Sequence, residues 1–209
     1  MNCVSNFSYD MKELFIKKGV LKIYEEDMPI FYKDDEGNKV YLIENGTVKI
    51  VNYSEDGKEL IFAIFQEGDI FGEMSVFDKK PRSACAIPMK TSKIYELNGK
   101  YFIDFLVEKP DMLLHIIKIF SSRIRELNDF LEDTIFANLT SRVLNKLIKL
   151  SRLKGVDKGS YYELKFDFTQ VELAGIVGCT RENLNRELKH LKDKGFIDYS
   201  KNILKIFVK

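Results

Sequence analysis

Two stretches of this chain hold side chains whose types and spacing could do chemistry. The first is Phe71-Gly72-Glu73-Met74-Ser-Val-Phe77, followed by Arg82-Ser83-Ala84. Gly72 lacks a Cβ, so a ligand can approach its backbone. The short segment after it offers backbone N–H groups to an anion, as a helix N-terminus does. Arg82 carries a planar fork suited to phosphate oxygens, and Ser83 adds a hydroxyl donor. A carboxylate at Glu73 makes sense beside an anion site if it accepts hydrogen bonds from ligand hydroxyls, such as those of a ribose. The plainer alternative is a structural Glu73–Arg82 ion pair.

The second stretch, residues 169–191, reads as two short helices meeting at a sharp turn. Thr169 and Glu172 form a capping box, Leu173, Ala174 and Val177 supply the apolar positions, and Gly178 sits where the chain must bend. Thr180 caps a second helix with Leu184, Leu188 and Leu191 on one face. Arg181, Glu182, Asn185 and Arg186 are left on the outer face near its start. This is the geometry of a helix-turn-helix whose second helix enters the DNA major groove. An ordinary αα-hairpin with a solvated outer face is the alternative.

Charge separates the two readings. Residues 1–137 hold 18 Lys/Arg against 24 Asp/Glu, net −6, and residues 138–209 hold 15 against 8, net +7. A basic C-terminal third around the hairpin is the footprint of a phosphate-binding domain. Lys189 and Lys192 would add charge near the DNA backbone. Cys3, Cys85 and Cys179 are scattered, and His115 and His190 are isolated. Neither a disulfide framework nor a metal site is expected. No nucleophile–base pair stands out, so an enzyme is not expected either. No apolar run reaches the ~18–20 residues of a membrane span, and the N-terminus does not read as a secretory signal. These features together point to the cytoplasm.

The elements that must position these residues fall in three blocks. After a weak helical spacing over 7–18 (Phe7, Met11, Leu14, Phe15), residues 21–97 break into about six short strands. These are 40–43, 47–53, 58–65, 70–73, 83–87 and 93–97, with an Asp56-Gly57 hairpin signal. They predict a β-sandwich, roll or barrel. Residues 112–136 predict one long helix with Asp111 as N-cap. Ile117, Phe120, Ile124, Leu127, Leu131 and Ile135 form its coiled-coil seam, and Ile116 and Ile119 a second flank. Residues 137–152 predict another helix, 154–160 a loop, and 161–168 a strand. Gly195 ends the recognition helix. A terminal hairpin of 196–199 and 203–208 about a 200–202 turn completes a winged helix-turn-helix.

Over nearly its whole length the chain resembles the Crp/Fnr family of bacterial transcription regulators. Phe-Gly-Glu…Arg-Ser-Ala is similar to the family's cyclic-nucleotide phosphate-binding cassette, and residues 172–186 to its helix-turn-helix signature. The resemblance implies an α+β fold: an effector-binding β-roll over 1–110, a long dimerisation helix over 111–137, and a winged helix-turn-helix over 138–209. It implies a homodimer, controlled by cAMP or another cyclic nucleotide, on a pseudo-palindromic operator. Glu73 would hold the ribose 2′-hydroxyl, and Arg82 and Ser83 the cyclic phosphate, with Gly72, Met74 and Ala84 completing the cassette. Leu127 and Asn128 occupy the positions where cAMP-responsive members place an adenine-contacting Thr-Ser pair. Asn128 could bond a base edge and Leu127 could not, which leaves open another effector, haem, or none. A non-DNA cyclic-nucleotide module is a further, lesser alternative. Arg181, Glu182 and Arg186 match the base-reading positions, and Thr169, Gln170, Thr180, Asn185 and Lys189 join them in the DNA-binding set. Arg to guanine and Glu to cytosine imply a G·C-anchored half-site of the TGTGA type. The resemblance also makes the 154–160 loop a candidate contact for RNA polymerase.

Overall fold

The computed structural model describes residues 9–165, 168–200 and 203–207. The chain divides into two compact units, Asn2–Asn52 with Ile61–Ile124, and Tyr53–Leu60 with Arg125–Lys209. Phe7 and the 201–202 part of the expected turn lie outside the described residues.

The first unit opens with α1 (Tyr9–Lys18), which buries Met11 and Phe15 completely. Two antiparallel sheets follow. One runs in the order β1 (Val20–Tyr24), β7 (Ser92–Asn98), β2 (Lys39–Asn45) and β5 (Ile70–Phe71). The other runs β4 (Glu59–Gln66), β3 (Thr47–Tyr53) and β6 (Cys85–Pro88). The expected strands are present with ends shifted by a residue or two. The Asp-Gly turn forms with Gly57 at φ 79° and its N–H on the Ser54 carbonyl. The apolar positions of β2 and β7 meet those of α1 and of α3 (Gly99–Glu108), where Val40, Leu42, Leu97, Phe102 and Leu106 share one core. A buried carboxylate, Glu96 on β7, accepts from Tyr24 Oη, from Lys39 Nζ at 2.6 Å and from Lys22 Nζ at 3.0 Å.

The long helix, α4, spans Pro110–Phe136 and contributes to both units. It begins earlier than expected, because proline's fixed φ and missing N–H suit a first helical position. The Lys109 carbonyl accepts the first bonds, from Met112 and Leu113, so Asp111 sits inside the first turn and is not the N-cap. Ile116 is buried in the core shared with β2 and β7, and Ile119 is buried beside Ile70 and Phe120, as the second flank requires. Phe120 joins that face, edge-on to Phe77 at 5.8 Å, and so leaves the expected seam. Ile117, Ile124, Leu127, Leu131 and Ile135 remain exposed along one stripe.

In the second unit, α5 (Leu139–Lys154), α6 (Gln170–Val177) and α7 (Arg181–Asp193) pack on a sheet ordered β10 (Ile197–Ser200), β11 (Ile203–Ile206), β9 (Tyr162–Lys165) and β8 (Val156–Asp157). Its core is Val143, Leu147, Leu173, Val177, Leu184, Leu188, Leu191, Leu204 and their neighbours. This is a winged helix-turn-helix. Among the described residues no helix is long and apolar enough to cross a membrane.

Candidate effector and DNA-reading sites

The cassette is built on β5, the five-residue α2 (Met74–Asp78) and the segment before β6. Gly72 turns the chain at φ 78°, and a Cβ there would lie 2.9 Å from Arg82 Nη1 and 3.0 Å from the Tyr41 ring. Arg82, 3 % exposed, donates from Nη1 to the Gly72 carbonyl at 2.6 Å and from Nη2 to the Lys39 carbonyl at 2.9 Å. Its guanidinium lies over Phe31 at 4.3 Å and Tyr41 at 5.6 Å. Burial pulls Arg82 below its ordinary arginine range, and burial also pushes the Tyr41 phenol up against the opposing pull of Arg82. Among the described residues Arg82 Nε is buried with no hydrogen-bond partner. Ala84 is buried, whereas Met74 and Ser83 are exposed.

Glu73, also 3 % exposed, does not pair with Arg82. Its Oε1 accepts from Arg123 Nη1 of α4 at 2.5 Å, while Arg123 Nη2 donates to the Ile70 carbonyl at 3.0 Å. The Arg123 guanidinium lies 4.7 Å from the Phe65 ring centre. The structure thus gathers Gly72, Glu73, Arg82 and Ala84 with Arg123, which was missed in the sequence. One signal was available: Ile116, Ile119, Phe120 and Arg123 share a face of α4, and a charge on a buried face calls for a buried partner. Leu127 and Asn128 are exposed on the part of α4 that belongs to the second unit.

The DNA-reading candidates assemble as their local signals require. Thr169 Oγ1 accepts from the Glu172 N–H at 3.2 Å, and Glu172 Oε2 accepts from the Thr169 N–H at 2.7 Å. Gly178 adopts φ 75°, ψ 48°, the left-handed conformation that glycine takes without strain. Arg142 of α5 clamps this turn, donating to the Val177 and Gly178 carbonyls at 2.8 and 3.1 Å. Thr180 Oγ1 caps α7 through the Asn183 N–H at 3.2 Å.

Arg181, Glu182, Arg186 and Lys189 are exposed on α7, and Asn185 is half-buried beside them. Gln170 Oε1 accepts from both Arg181 Nε at 3.3 Å and Asn185 Nδ2 at 3.2 Å. Glu187 accepts from Thr140 Oγ1 at 2.7 Å and from Arg186 Nε at 3.4 Å. The two tethers, Gln170 and Glu187, were not legible as such, since each reaches across a turn or between helices. Lys192, expected beside the DNA backbone, pairs at 2.9 Å with Asp198 of the wing and lies over Tyr199.

Comparison with known proteins finds two domain types along the chain. Residues 15–109 match a cyclic nucleotide-binding domain, and residues 141–208 a Crp-like helix-turn-helix domain. A CRP-like cAMP-activated global transcriptional regulator of Mycobacterium tuberculosis is 29 % identical, over 80 % of this chain and 75 % of its own. The cyclic AMP receptor protein of Thermus thermophilus is 28 % identical over 84 % and 78 %. The solved structure of the c-di-GMP-responsive regulator CLP of Xanthomonas campestris superposes with TM-score 0.83 at 21 % identity, covering 97 % of this chain and all of that one, a likeness of fold. Two domain types in this order, covering most of the chain, place the protein in the Crp/Fnr family of DNA-binding transcription regulators.

Proposed function

We propose that this regulator acts as a homodimer and is gated by a small anionic effector, a cyclic nucleotide, held at Glu73 and Arg82. The observation that carries the reading is the orphaned Nε of Arg82, a buried donor with no hydrogen-bond partner among the described residues, next to a glycine backbone at φ 78°. A buried donor left unmade costs about 1–3 kcal/mol, and more for a charged group. An incoming phosphate oxygen would relieve that cost, and Ser83, exposed beside it, can add its hydroxyl. Glu73 would turn toward a ribose hydroxyl, in competition with Arg123. The residues present therefore suit the sugar-phosphate half of a cyclic nucleotide.

The gate follows from that competition. Arg123 belongs to α4, so what Glu73 bonds to biases how α4 is held. The exposed stripe Ile117, Ile124, Leu127, Leu131 and Ile135 supplies the apolar seam for a second copy. An effector shifts the balance between two arrangements only by its differential affinity for them. At the output end, Arg181, Glu182 and Arg186 read bases, and Lys189 adds charge. A pseudo-palindromic, G·C-anchored operator suits two such helices. RNA polymerase is the natural partner of a regulator at such a site.

One observation favours a second reading, the same regulator with a different effector. Leu127, matched to the Thr of the adenine-contacting Thr-Ser pair in cAMP-responsive members, has a side chain that cannot hydrogen-bond. CLP, of the same fold, is described as responsive to c-di-GMP. Calorimetric titration with cAMP and cGMP, followed by operator binding, tests both. Heat with either nucleotide, lost in Arg82→Ala together with ligand-stimulated DNA binding, supports the first reading. Operator binding without heat from either supports the second. Ligand-dependent binding that survives Arg82→Ala refutes the pocket.

A further inference from the structure

A groove of about 450 Å³ opens within the second unit, between the C-terminal turns of α4, the start of α5 and the end of α6. That volume lies in the ~300–1,000 Å³ range of small-molecule sites. Its apolar floor includes Phe130, Ile176 and Val177, and its two walls carry opposite charge, acids from α4 and bases from α5.

Several of those wall groups already have partners. Lys149 Nζ reaches Asp129 at 3.4 Å, Asn145 Nδ2 donates to Asp133 at 3.2 Å, and Arg142 is engaged by the Val177 and Gly178 carbonyls. Two groups stand apart. Among the described residues the Lys146 ammonium makes no hydrogen bond or ion pair, and its contact is the Phe130 ring at 5.9 Å. Glu126 Oε2 is buried with no donor. The two line the same groove and are not paired with each other. A half-buried ammonium and a buried carboxylate oxygen without hydrogen-bond partners are each costly, so the site favours a ligand that satisfies both.

We propose that this groove binds a free α-amino acid with an apolar or aromatic side chain. Its carboxylate sits on Lys146, its ammonium on Glu126, and its side chain on Phe130 and Ile176. A dianion would meet the acids of the α4 wall, and a simple amine would leave Lys146 unmatched. The carboxylate end of the occupant falls on the α5 wall, which also carries Arg142. Arg142 holds the carbonyls at the bend of the helix-turn-helix, so the occupant lies beside the turn that orients the recognition helix.

The test is calorimetric titration of the full-length protein with L-phenylalanine and L-leucine. N-acetyl-phenylalanine and phenylalaninamide, each lacking one charge, serve as probes of the two ends. The free amino acids should bind, and each capped form should bind about tenfold or more weakly, the loss of one charge-assisted hydrogen bond. Lys146→Met and Glu126→Gln should each weaken phenylalanine binding by about the same factor. Glu126→Gln should also close the gap between phenylalanine and its N-acetyl form, a change that misfolding would not produce. Arg82→Ala should leave this binding intact, which separates the groove from the cassette. No heat from any of the twenty amino acids at millimolar concentration overturns the proposal. So does binding that is unchanged in both groove variants or lost in Arg82→Ala.

Discussion

Replacing Arg123 with methionine is the sharpest test of how the cassette is tied to α4. Methionine keeps an apolar stem over Phe65 and deletes the charge. Glu73, with 4 % of its side chain exposed, is then left as a buried carboxylate without its 2.5 Å partner. Breaking a buried pair from one side costs about 3–5 kcal/mol. The Arg123 side chain is itself 20 % exposed, so the lower end, about 3 kcal/mol, is expected. For a chain of this size that is a fall of about 6–12 °C in melting temperature. Removing both charges, Glu73→Gln with Arg123→Met, should recover most of the loss, because the desolvation of two ions disappears with their attraction. The assay is denaturant unfolding of wild type, both single variants and the double variant, at one protein concentration so that association does not enter. A coupling of about 2 kcal/mol or more is expected for two contacting charges. A coupling below ~0.5 kcal/mol, or an Arg123→Met cost below ~1 kcal/mol, would refute the idea that this pair fastens the helix to the cassette.

If the exposed stripe is the seam of the proposed dimer, replacing Leu131 and Ile124 by glutamate should abolish association. Each buried side chain of this size contributes ~1.5–3 kcal/mol, and sedimentation should show a monomer with its thermal transition retained. Glu96 carries a testable pH dependence. Burial alone would raise its carboxyl, but bonds from Lys39, Tyr24 and Lys22 outweigh burial and hold it below the usual range. A depressed carboxyl contributes stability that is present above its unfolded value and lost as pH falls through its folded value. Wild type should therefore lose more stability than Glu96→Gln between ~pH 5 and ~pH 3 in denaturant titrations. Gln170→Ala should relax half-site discrimination in a selection from random DNA while leaving the salt dependence of binding unchanged, since no phosphate-neutralising charge is removed. Arg186→Ala should cost ~1–3 kcal/mol at its base pair.

What could be read in the sequence was what local chemistry decides. The capping box at Thr169 and Glu172, the bend at Gly178 and the Asp56-Gly57 hairpin each use residues a few positions apart. Helix α3 carries local signals too, an Asn98 N-cap and buried Phe102 and Leu106 at four-residue spacing, yet residues 98–109 were not read. The larger gaps are tertiary. Phe120 fits both apolar stripes of α4 by spacing, and only the presence of Phe77 decides that it faces inward. Arg82 reads as a bare phosphate ligand, whereas its hydrogen bonds go to carbonyls 10 and 43 residues away and its faces to aromatic rings. Glu73 has its counter-charge 50 residues distant. Pairings over such separations depend on which strands and helices meet, and no short-range periodicity encodes that.

The two candidate sites differ in how they are prepared for the ligands proposed for them. On α7, Arg181 and Asn185 lean on one oxygen of Gln170, and Arg186 leans on Glu187, which Thr140 holds in turn. In both arginines the tether takes Nε and leaves the terminal nitrogens, the pair that the proposed guanine contact would use. Less rotamer freedom is then lost when DNA arrives, and specificity gains from that preorganisation. In the cassette the reverse holds for Glu73. It spends its bond inside the protein, on Arg123, so an effector hydroxyl proposed for it must displace that contact first, while Arg82 keeps only its Nε open. A site built that way binds more weakly than its contact list suggests. Its binding energy goes instead into changing what α4 is fastened to, which is what an input to a switch requires.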